Sequence, residues 1–377
     1  MALTRRDFLN NAAATAALAV LTGNTRIWAG NNGLYENSMI IDGLGFPGSD
    51  SEDNRKILTT AELEDIKASG LTAIHLTLGE VGSMSPLQAF EKIVRDVTHW
   101  DGQIAANPAV LCPVRHTDDL KSAKQAHRTG LIYGLQDGVA FEDDIDRIET
   151  LHRLGIRVIQ PTYNRRNLLG DGCMEPANAG LSKSGFEAVA KMNEQGILVD
   201  LSHCGRRTAM DAISASDKPV CFTHTGCYAL AAHPRHRTDK EIRAVAAGGG
   251  VIGIFIMPYL SKGKQPAAAD VIRHLEYAVK IAGEDHVSVG TDGVVSPTHL
   301  TPEFIKRFRK VTRKRKNRGI AAPYESETGY LFAADLNTPQ RFATLMDLLL
   351  QRGHSETRVR KILGGNLARL FGETWPV

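Results

Sequence analysis

The 377-residue sequence has little cysteine, little net charge and, after its N-terminus, no long apolar run. A net charge of +3 is too small to indicate binding to nucleic acid or to a membrane surface. No later apolar run approaches the roughly 18 residues of a membrane-spanning helix, so we expect no internal span.

Cysteine is too scarce for a disulfide scaffold of this length, and no Cys-x-x-Cys pair is present. In an oxidising compartment one or two disulfides could form, and the odd count leaves at least one thiol unpaired. The five cysteines are Cys112, Cys173, Cys204, Cys221 and Cys227.

Residues 1–29 resemble an export signal rather than part of the fold. Residues 4–9 (TRRDFL) match the twin-arginine pattern, and an Ala/Leu-rich stretch at residues 12–21 precedes a candidate cleavage site after Ala29. The other interpretation is a chance arginine pair on a short amphipathic helix. We expect a periplasmic or otherwise exported protein with one domain over residues 30–377.

Short apolar segments alternate with amphipathic helices along the chain. An apolar content of 42% is ordinary for a globular protein. This alternation predicts a (β/α)8 TIM-like barrel, with a doubly wound open sheet as the alternative. We expect the last helix to end at Gly353. The predicted strands lie at residues 39–41, 72–78, 131–135, 157–160, 197–201, 220–222, 250–257 and 286–291.

Two histidines follow neighbouring predicted strands. His203 comes just after residues 197–201, and His224 just after residues 220–222. Because the carboxyl ends of parallel strands share one end of a barrel, we expect the two imidazoles to lie close together. Neutral imidazoles are common ligands of zinc and similar metals. Either histidine alone could equally be a satisfied core or loop residue.

Other polar residues fall at the same predicted strand ends. Two imidazoles and the aspartate Asp292 could hold a divalent metal with a position open to water, which is the chemistry of amide hydrolysis. Asp292 could be a ligand or could move a proton, and Arg235 could bind a substrate carboxylate. The alternatives are a helix cap for Asp292 and a surface ion pair for Arg235. The remaining strand-end residues are Asp42, His75, Gln136, Tyr163 and Asn164.

A strongly basic run lies near the C-terminal third of the chain. Residues 306–318 include nine Lys or Arg in thirteen positions, with Phe308 as the only aromatic residue. We interpret the run as a solvated loop or helix face, and a phosphate-binding patch is the alternative.

Over residues 39–372 the chain resembles the membrane dipeptidase family, also called renal dipeptidase or peptidase family M19. The resemblance implies a metal-dependent hydrolase with a TIM-like barrel and two zinc ions that cleaves dipeptides, including those with a D-residue in second position. It assigns His203 and His224 to one metal, Asp292 to the vicinity of the other, and Arg235 to the substrate carboxylate. The matching segments are GLS at 180–182, VDLSH at 199–203, TH at 223–224, HPR at 233–235, GGGVIG at 248–253, VGTD at 289–292 and GGN at 364–366.

The chain departs from the family at several site positions. Leu44 and Phe46 occupy the positions of a His-x-Asp ligand pair, and Gln136 replaces the glutamate that bridges the two metals. Tyr163 replaces a substrate-contacting histidine. Because a neutral amide cannot bridge and neutralise two divalent cations as a carboxylate does, we expect one zinc ion rather than two.

Two functional hypotheses follow. The first is a metallodipeptidase-like hydrolase with one ion on His203 and His224, completed by Asp292, by water, or by Cys173 or Glu175 of a nearby loop. The second is a barrel that binds or tailors a small molecule without hydrolysis. In either case we expect a small-molecule or dipeptide partner, no nucleic acid, no membrane span after signal removal, and a homodimer as the candidate assembly.

Overall fold

A computed structural model describes residues 33–50, 57–82 and 85–375, so the predicted export signal lies outside the described residues. The strands, in chain order, are β1 (Ile41–Asp42), β2 (Gly45–Phe46), β3 (Ala73–Thr77), β4 (Leu111–Pro113), β5 (Thr129–Leu135), β6 (Ile156–Ile159), β7 (Leu198–Val199), β8 (Cys221–Thr225), β9 (Val251–Ile254), β10 (Val287–Val289) and β11 (Gly293–Val294).

Eight of these strands form a closed parallel barrel. They pair in the orders β1-β3-β5-β6-β7 and β8-β9-β10. Two backbone hydrogen bonds join these groups: Leu201 N–H donates to the Cys221 carbonyl (2.8 Å), and Gly43 N–H to the Val289 carbonyl (2.9 Å). The barrel prediction is therefore confirmed, and the open sheet is excluded because β1 is joined to β10 and β7 to β8, which closes the order of the eight strands. Of the remaining strands, β4 pairs with β5, and β2 pairs with β11 just beyond β1 and β10.

Helices connect the strands and cover the outside of the barrel. The first one shows how the sequence sets their ends: Thr59 and Glu62 form a capping box, and Gly70 ends the helix in the left-handed conformation at φ 63°. The α-helices span Thr60–Ser69, Pro86–Ala106, Thr117–Gln125, Arg147–Arg153, Lys183–Gln195, Arg206–Ala215, Asp239–Ala247, Ala268–Ala282, Pro302–Asn317, Arg341–Gln351, Glu356–Arg360 and Asn366–Thr374.

An apolar cluster fills the barrel at the N-terminal ends of its strands. The C-terminal helix, Asn366–Thr374, packs against this cluster through Leu367, Leu370 and Phe371. Side chains two residues further along a strand point the same way, so the next level of the barrel is predominantly polar and includes His75 and Asp200. The strand residues of the apolar cluster are Ile41, Ala73, Ile132, Val158, Leu198, Cys221 and Val251.

Residues 297–336, named here the cap segment, extend over the C-terminal mouth of the barrel. The helix Pro302–Asn317 lies within it and is called the cap helix. Hydrogen bonds attach the segment to barrel loops: the Asn164 side-chain amide donates to the Ile320 carbonyl, and Arg318 binds Glu80. The basic run at 306–318 is thus mostly helical. Within the described residues, no helix has the length and apolarity needed to cross a bilayer.

Candidate metal and substrate site

His203 and His224 meet below the mouth of the barrel. Their Nε2 atoms lie 3.0 Å apart, and the ring planes are tilted by 54°. Both side chains are buried. The sequence prediction that these two imidazoles lie together is confirmed.

A hydrogen-bonded chain orients His224. The Asp200 carboxylate accepts hydrogen bonds from the hydroxyl groups of Ser202 and Thr223, each at 2.6 Å. Since the Thr223 hydroxyl donates its proton to Asp200, it can only accept from Nδ1–H of His224, 2.7 Å away. The second nitrogen of His224, Nε2, therefore carries a lone pair and no proton.

A separate contact orients His203 in the same way. The side-chain amide of Asn164 donates from Nδ2 to the Ile320 carbonyl, which leaves its Oδ1 as the acceptor that faces His203. His203 Nδ1 lies 2.6 Å from this oxygen and must donate to it. Its Nε2 therefore also carries a lone pair.

Two lone pairs that face each other at 3.0 Å repel unless a cation lies between them. Burial, reinforced by the nearby Arg235 charge, lowers the pKa of both histidines well below the ordinary 6.5, so both rings are neutral near pH 7, the form in which histidine binds a metal. Two nitrogens bound to one tetrahedral zinc at 2.0–2.1 Å would be separated by ~3.3 Å. The histidine pair therefore fits two ligand positions of one ion, and the described residues add no third His, Cys, Asp or Glu ligand to it, Asp292 included.

The donors for a second ion do not fit. Leu44 is buried, and Phe46 packs edge-on against Trp100 with ring centroids 5.5 Å apart. The Gln136 amide donates to the Thr77 hydroxyl at 2.8 Å. Among the residues that the structure describes, no group of three or more His, Cys, Asp or Glu side chains could hold a metal.

The loop residues considered as extra ligands do not join the histidine pair in a metal-binding group, although Cys173 lies next to His203 and donates its N–H to the His203 carbonyl at 2.8 Å. The Cys173 thiol donates to Asn164 Oδ1 at 3.3 Å, and Cys173 and Glu175 line a separate cavity of about 330 Å³. None of the five cysteines, all within the described part of the chain, forms a disulfide.

A cavity of about 790 Å³ lies between the barrel mouth and the cap segment. Arg235, Asp292, Gln136 and Tyr163 all line it. Four of the predicted site residues are thus brought to one cavity, whereas His203 and His224 do not line it. The Tyr163 ring stacks on His203 at a centroid distance of 4.0 Å and covers it.

Arg235 is a buried cation without an acidic partner. It is 2% exposed, and its guanidinium donates to the carbonyls of Ser202 and His224 at 3.3 and 3.2 Å. No carboxylate of the described residues forms an ion pair with it, whereas the equally buried Arg237 pairs with Glu241 at 3.1 Å. Because an uncompensated buried charge is costly, Arg235 is well suited to bind an anionic ligand in the cavity. The alternative of a surface ion pair is excluded.

Asp292 lies at a strained point of the mouth. Its φ is 53°, which is rare for a residue other than glycine, and such strain concentrates at functional sites. Its N–H donates to the Leu44 carbonyl at 2.8 Å. Burial raises the pKa of Asp292 to about 6, although the charges of Arg235 and Arg315 act against this shift. A carboxyl group with this pKa can exchange a proton near neutral pH.

Sequence reasoning missed the ion pair that holds the cap segment over this site. Arg315 of the cap helix binds Glu325 through two contacts of 2.7 and 2.9 Å, and it donates to the Tyr163 hydroxyl at 3.3 Å. Arg315 lies in the basic run that was interpreted as solvated. No local pattern marks Glu325 as its partner.

Comparison with known proteins agrees with the fold. Residues 63–320 match the family described as membrane dipeptidase (peptidase family M19). The chain belongs to the membrane dipeptidase family. It is thereby a member of a family of dipeptidase-like hydrolases that depend on metal, generally zinc.

Two solved structures illustrate the likeness. An amidohydrolase from Pseudomonas aeruginosa is 34% identical with a TM-score of 0.77, and the match covers 91% of this chain and 98% of that one. A metallo peptidase from Rhodobacter sphaeroides, solved with a phosphinate mimic of the dipeptide L-Ala-D-Ala, is 18% identical with a TM-score of 0.73; 90% of this chain and 100% of that one are covered. The second likeness concerns the fold alone.

Two curated dipeptidases are also similar in sequence. The dipeptidase tcpJ of Claviceps purpurea (strain 20.1) is 28% identical over 231 residues, which are 60% of this chain and 46% of tcpJ. The dipeptidase verJ of Clonostachys rogersoniana is 28% identical over 228 residues, 59% of this chain and 50% of verJ. The chain thus spans about half the length of these curated relatives.

Proposed function

We propose that the protein is an exported, metal-dependent hydrolase that cleaves a dipeptide or a similar small amide with a free carboxylate. The observation that carries this proposal is the convergence of two lone pairs, on His203 and His224, beside a cavity that contains Arg235. A single ion, with zinc as the best candidate, would be held by the two histidines. When bound, it would polarise the amide carbonyl and make its water acidic.

The chain's own residues have distinct roles in this proposal. Arg235 binds the substrate carboxylate, because its guanidinium is buried and no carboxylate of the described residues forms an ion pair with it. Asp292 holds a proton and passes it to the departing amine, which its pKa of about 6 permits. Tyr163 accepts a hydrogen bond from Arg315, so its own hydroxyl proton remains available to the substrate.

Export and assembly are further parts of the proposal. The twin-arginine pattern at residues 4–9 supports export to the periplasm. A homodimer is the proposed assembly, and light scattering of the purified protein would measure it.

A non-hydrolytic binding barrel is the second candidate. It is favoured by the apolar residues Leu44 and Phe46 and the amide Gln136 at the positions of the second ion, and by the Tyr163 ring that covers His203. In this case Arg235 would still bind a carboxylate, but no bond would be cleaved.

Release of free amine from a dipeptide panel separates the two candidates. The panel should contain pairs that differ only in the configuration of the C-terminal residue, incubated with protein purified in the presence of zinc. We expect cleavage of at least one dipeptide, and loss of cleavage in His203→Ala. Dipeptide binding without cleavage by wild-type protein would overturn hydrolysis and favour the binding barrel.

A further inference from the structure

The cap helix presents two different faces. Its buried residues Phe304, Phe308 and Thr312 recur every four positions and face inward. Most of its lysine and arginine side chains are exposed on the opposite side. The lysine and arginine side chains of the basic run therefore form the solvent-exposed face of the cap helix, and the opposite face is apolar.

Aromatic rings of the cap segment form a continuous surface. Phe304 stacks on Phe308 at a centroid distance of 5.8 Å, and Tyr330 packs on Phe308 at 5.3 Å and on Phe332 at 6.1 Å. Three of these rings, those of Phe304, Phe308 and Phe332, line the 790 Å³ cavity. The barrel side adds further apolar lining residues, namely Leu44, Phe46, Met257 and Val294.

The charges of the cavity wall limit its ligand to few negative groups. Four arginines line it: Arg235, Arg307, Arg315 and Arg318. Three lysines and four carboxylates complete the charged lining: Lys92, Lys310, Lys314, Asp50, Glu80, Asp292 and Glu325. Arg307 lies 3.5 Å from Asp50, Arg315 binds Glu325, and Arg318 binds Glu80. Since these three are already neutralised, Arg235 is the arginine left for a ligand anion. The wall thus suits one carboxylate and a substantial apolar group rather than a polyanion.

We propose that the substrate is an amphipathic N-acyl amino acid, with its carboxylate on Arg235 and its acyl chain along Phe304 and Phe308. A volume of 790 Å³ falls within the range of sites for drug-sized ligands, roughly 300–1,000 Å³, and exceeds what a small dipeptide fills. The reaction rests on the hydrolysis proposed above. Water adds to the acyl carbon, the C–N bond breaks, the fatty acid leaves, and the amino acid nitrogen takes the proton.

Binding of N-acylglycines tests this substrate class without requiring turnover. N-acetyl-, N-hexanoyl- and N-decanoylglycine are titrated calorimetrically into the purified full chain. We expect the affinity to rise two- to fourfold per methylene, because burial of a CH₂ group corresponds to roughly a fourfold gain at most. N-decanoylglycinamide, which lacks the carboxylate, should bind at least tenfold more weakly than N-decanoylglycine. An affinity independent of chain length overturns the proposal.

Two substitutions of Phe308 test whether the acyl chain of the ligand lies along the cap helix. Phe308→Ala should lower the affinity for N-decanoylglycine at least tenfold and change the affinity for N-acetylglycine by less than twofold. Phe308→Leu, which keeps most of the apolar volume, should have an intermediate effect on the affinity for N-decanoylglycine. Lys306→Ala on the exposed face is the matched control. Equal weakening of both ligands in folded Phe308→Leu would contradict the placement. If affinity rises with acyl chain length but no N-acylglycine or dipeptide is hydrolysed, only the hydrolytic function is overturned. If dipeptides are cleaved but affinity does not depend on acyl chain length, only the proposed acyl-binding site is overturned.

Discussion

The Nε2 atoms of His203 and His224 face each other across 3.0 Å, and neither carries a proton in the hydrogen-bonding pattern around them. Two independent networks impose this arrangement, one through Thr223 and Asp200 and the other through Asn164. Proteins commonly fix metal-binding histidines in this way, by a hydrogen bond from the other ring nitrogen. The pair is therefore organised for a cation, although Leu44, Phe46 and Gln136 occupy positions that the family resemblance assigns to other metal ligands.

Removal of the Thr223 hydroxyl should weaken metal binding without unfolding the protein. In Thr223→Val, Nδ1 of His224 loses its acceptor, so the tautomer with a free Nε2 is no longer enforced. Loss of such a partner typically costs 10–100-fold in metal affinity, and competition with a zinc chelator would measure it. Thr374→Val, which removes another buried hydroxyl far from the pair, should leave zinc affinity unchanged. Equal affinities in both variants would contradict the role of Thr223.

Removal of the positive charge should mainly affect ligand binding at Arg235 and mainly affect stability at Arg237. Arg235→Met should weaken a carboxylate ligand about 10–100-fold, the value of a charge-assisted contact, with little loss of stability because no acidic partner is stranded. Arg237→Met should destabilise the fold by about 3–5 kcal/mol, because it leaves Glu241 buried and unpaired. Ligand titration and urea unfolding measure the two effects. Similar destabilisation by both substitutions would show that Arg235 is structural.

Restoring the missing ligands should raise the zinc content. The triple variant Leu44→His, Phe46→Asp and Gln136→Glu returns two nitrogen or oxygen ligands and a bridging carboxylate to the mouth. We expect up to two zinc ions per chain, measured by elemental mass spectrometry. The single variant Gln136→Glu is the control and should not gain a full ion. No increase in the folded triple variant would show that these positions are wrongly placed.

His274 should make stability fall in acid. Its Nδ1 accepts the N–H of Cys227, and burial lowers its pKa from 6.5 to about 4. Between these pH values the unfolded chain binds a proton that the folded chain does not, so its contribution is complete above pH 6.5 and is lost as the pH falls towards 4.

Urea unfolding of wild type and His274→Gln between pH 4 and 7 measures this contribution. The difference in unfolding free energy between the two should shrink by up to about 1.4 kcal/mol per pH unit as the pH falls. Parallel profiles for wild type and His274→Gln would exclude the proposed titration.

The barrel strands and their terminal residues could be predicted because the signals are local. Apolar runs buried on both faces mark the strands, and His203 and His224 follow two such runs directly. The same logic placed Arg235 and Asp292 near the mouth. It could not reveal that Arg235 has no acidic partner or that Tyr163 covers His203, because both depend on how loops fold over the barrel.

One element was predicted wrongly for an identifiable reason. The helix predicted to end at Gly353 is not the last helix of the chain. The helix Asn366–Thr374 follows it and packs against the apolar cluster of the barrel. Gly364 and Gly365 interrupt the apolar pattern just before this helix, so the sequence pattern did not predict it.

Metal content per chain tests the central claim most directly. Protein purified without chelators should contain about one zinc or similar ion per chain by elemental mass spectrometry. His203→Ala and His224→Ala should each lose it, whereas His299→Ala should keep it. Folded wild-type protein without metal, even after exposure to excess zinc, would contradict the account, because the facing lone pairs of His203 and His224 would then have another purpose.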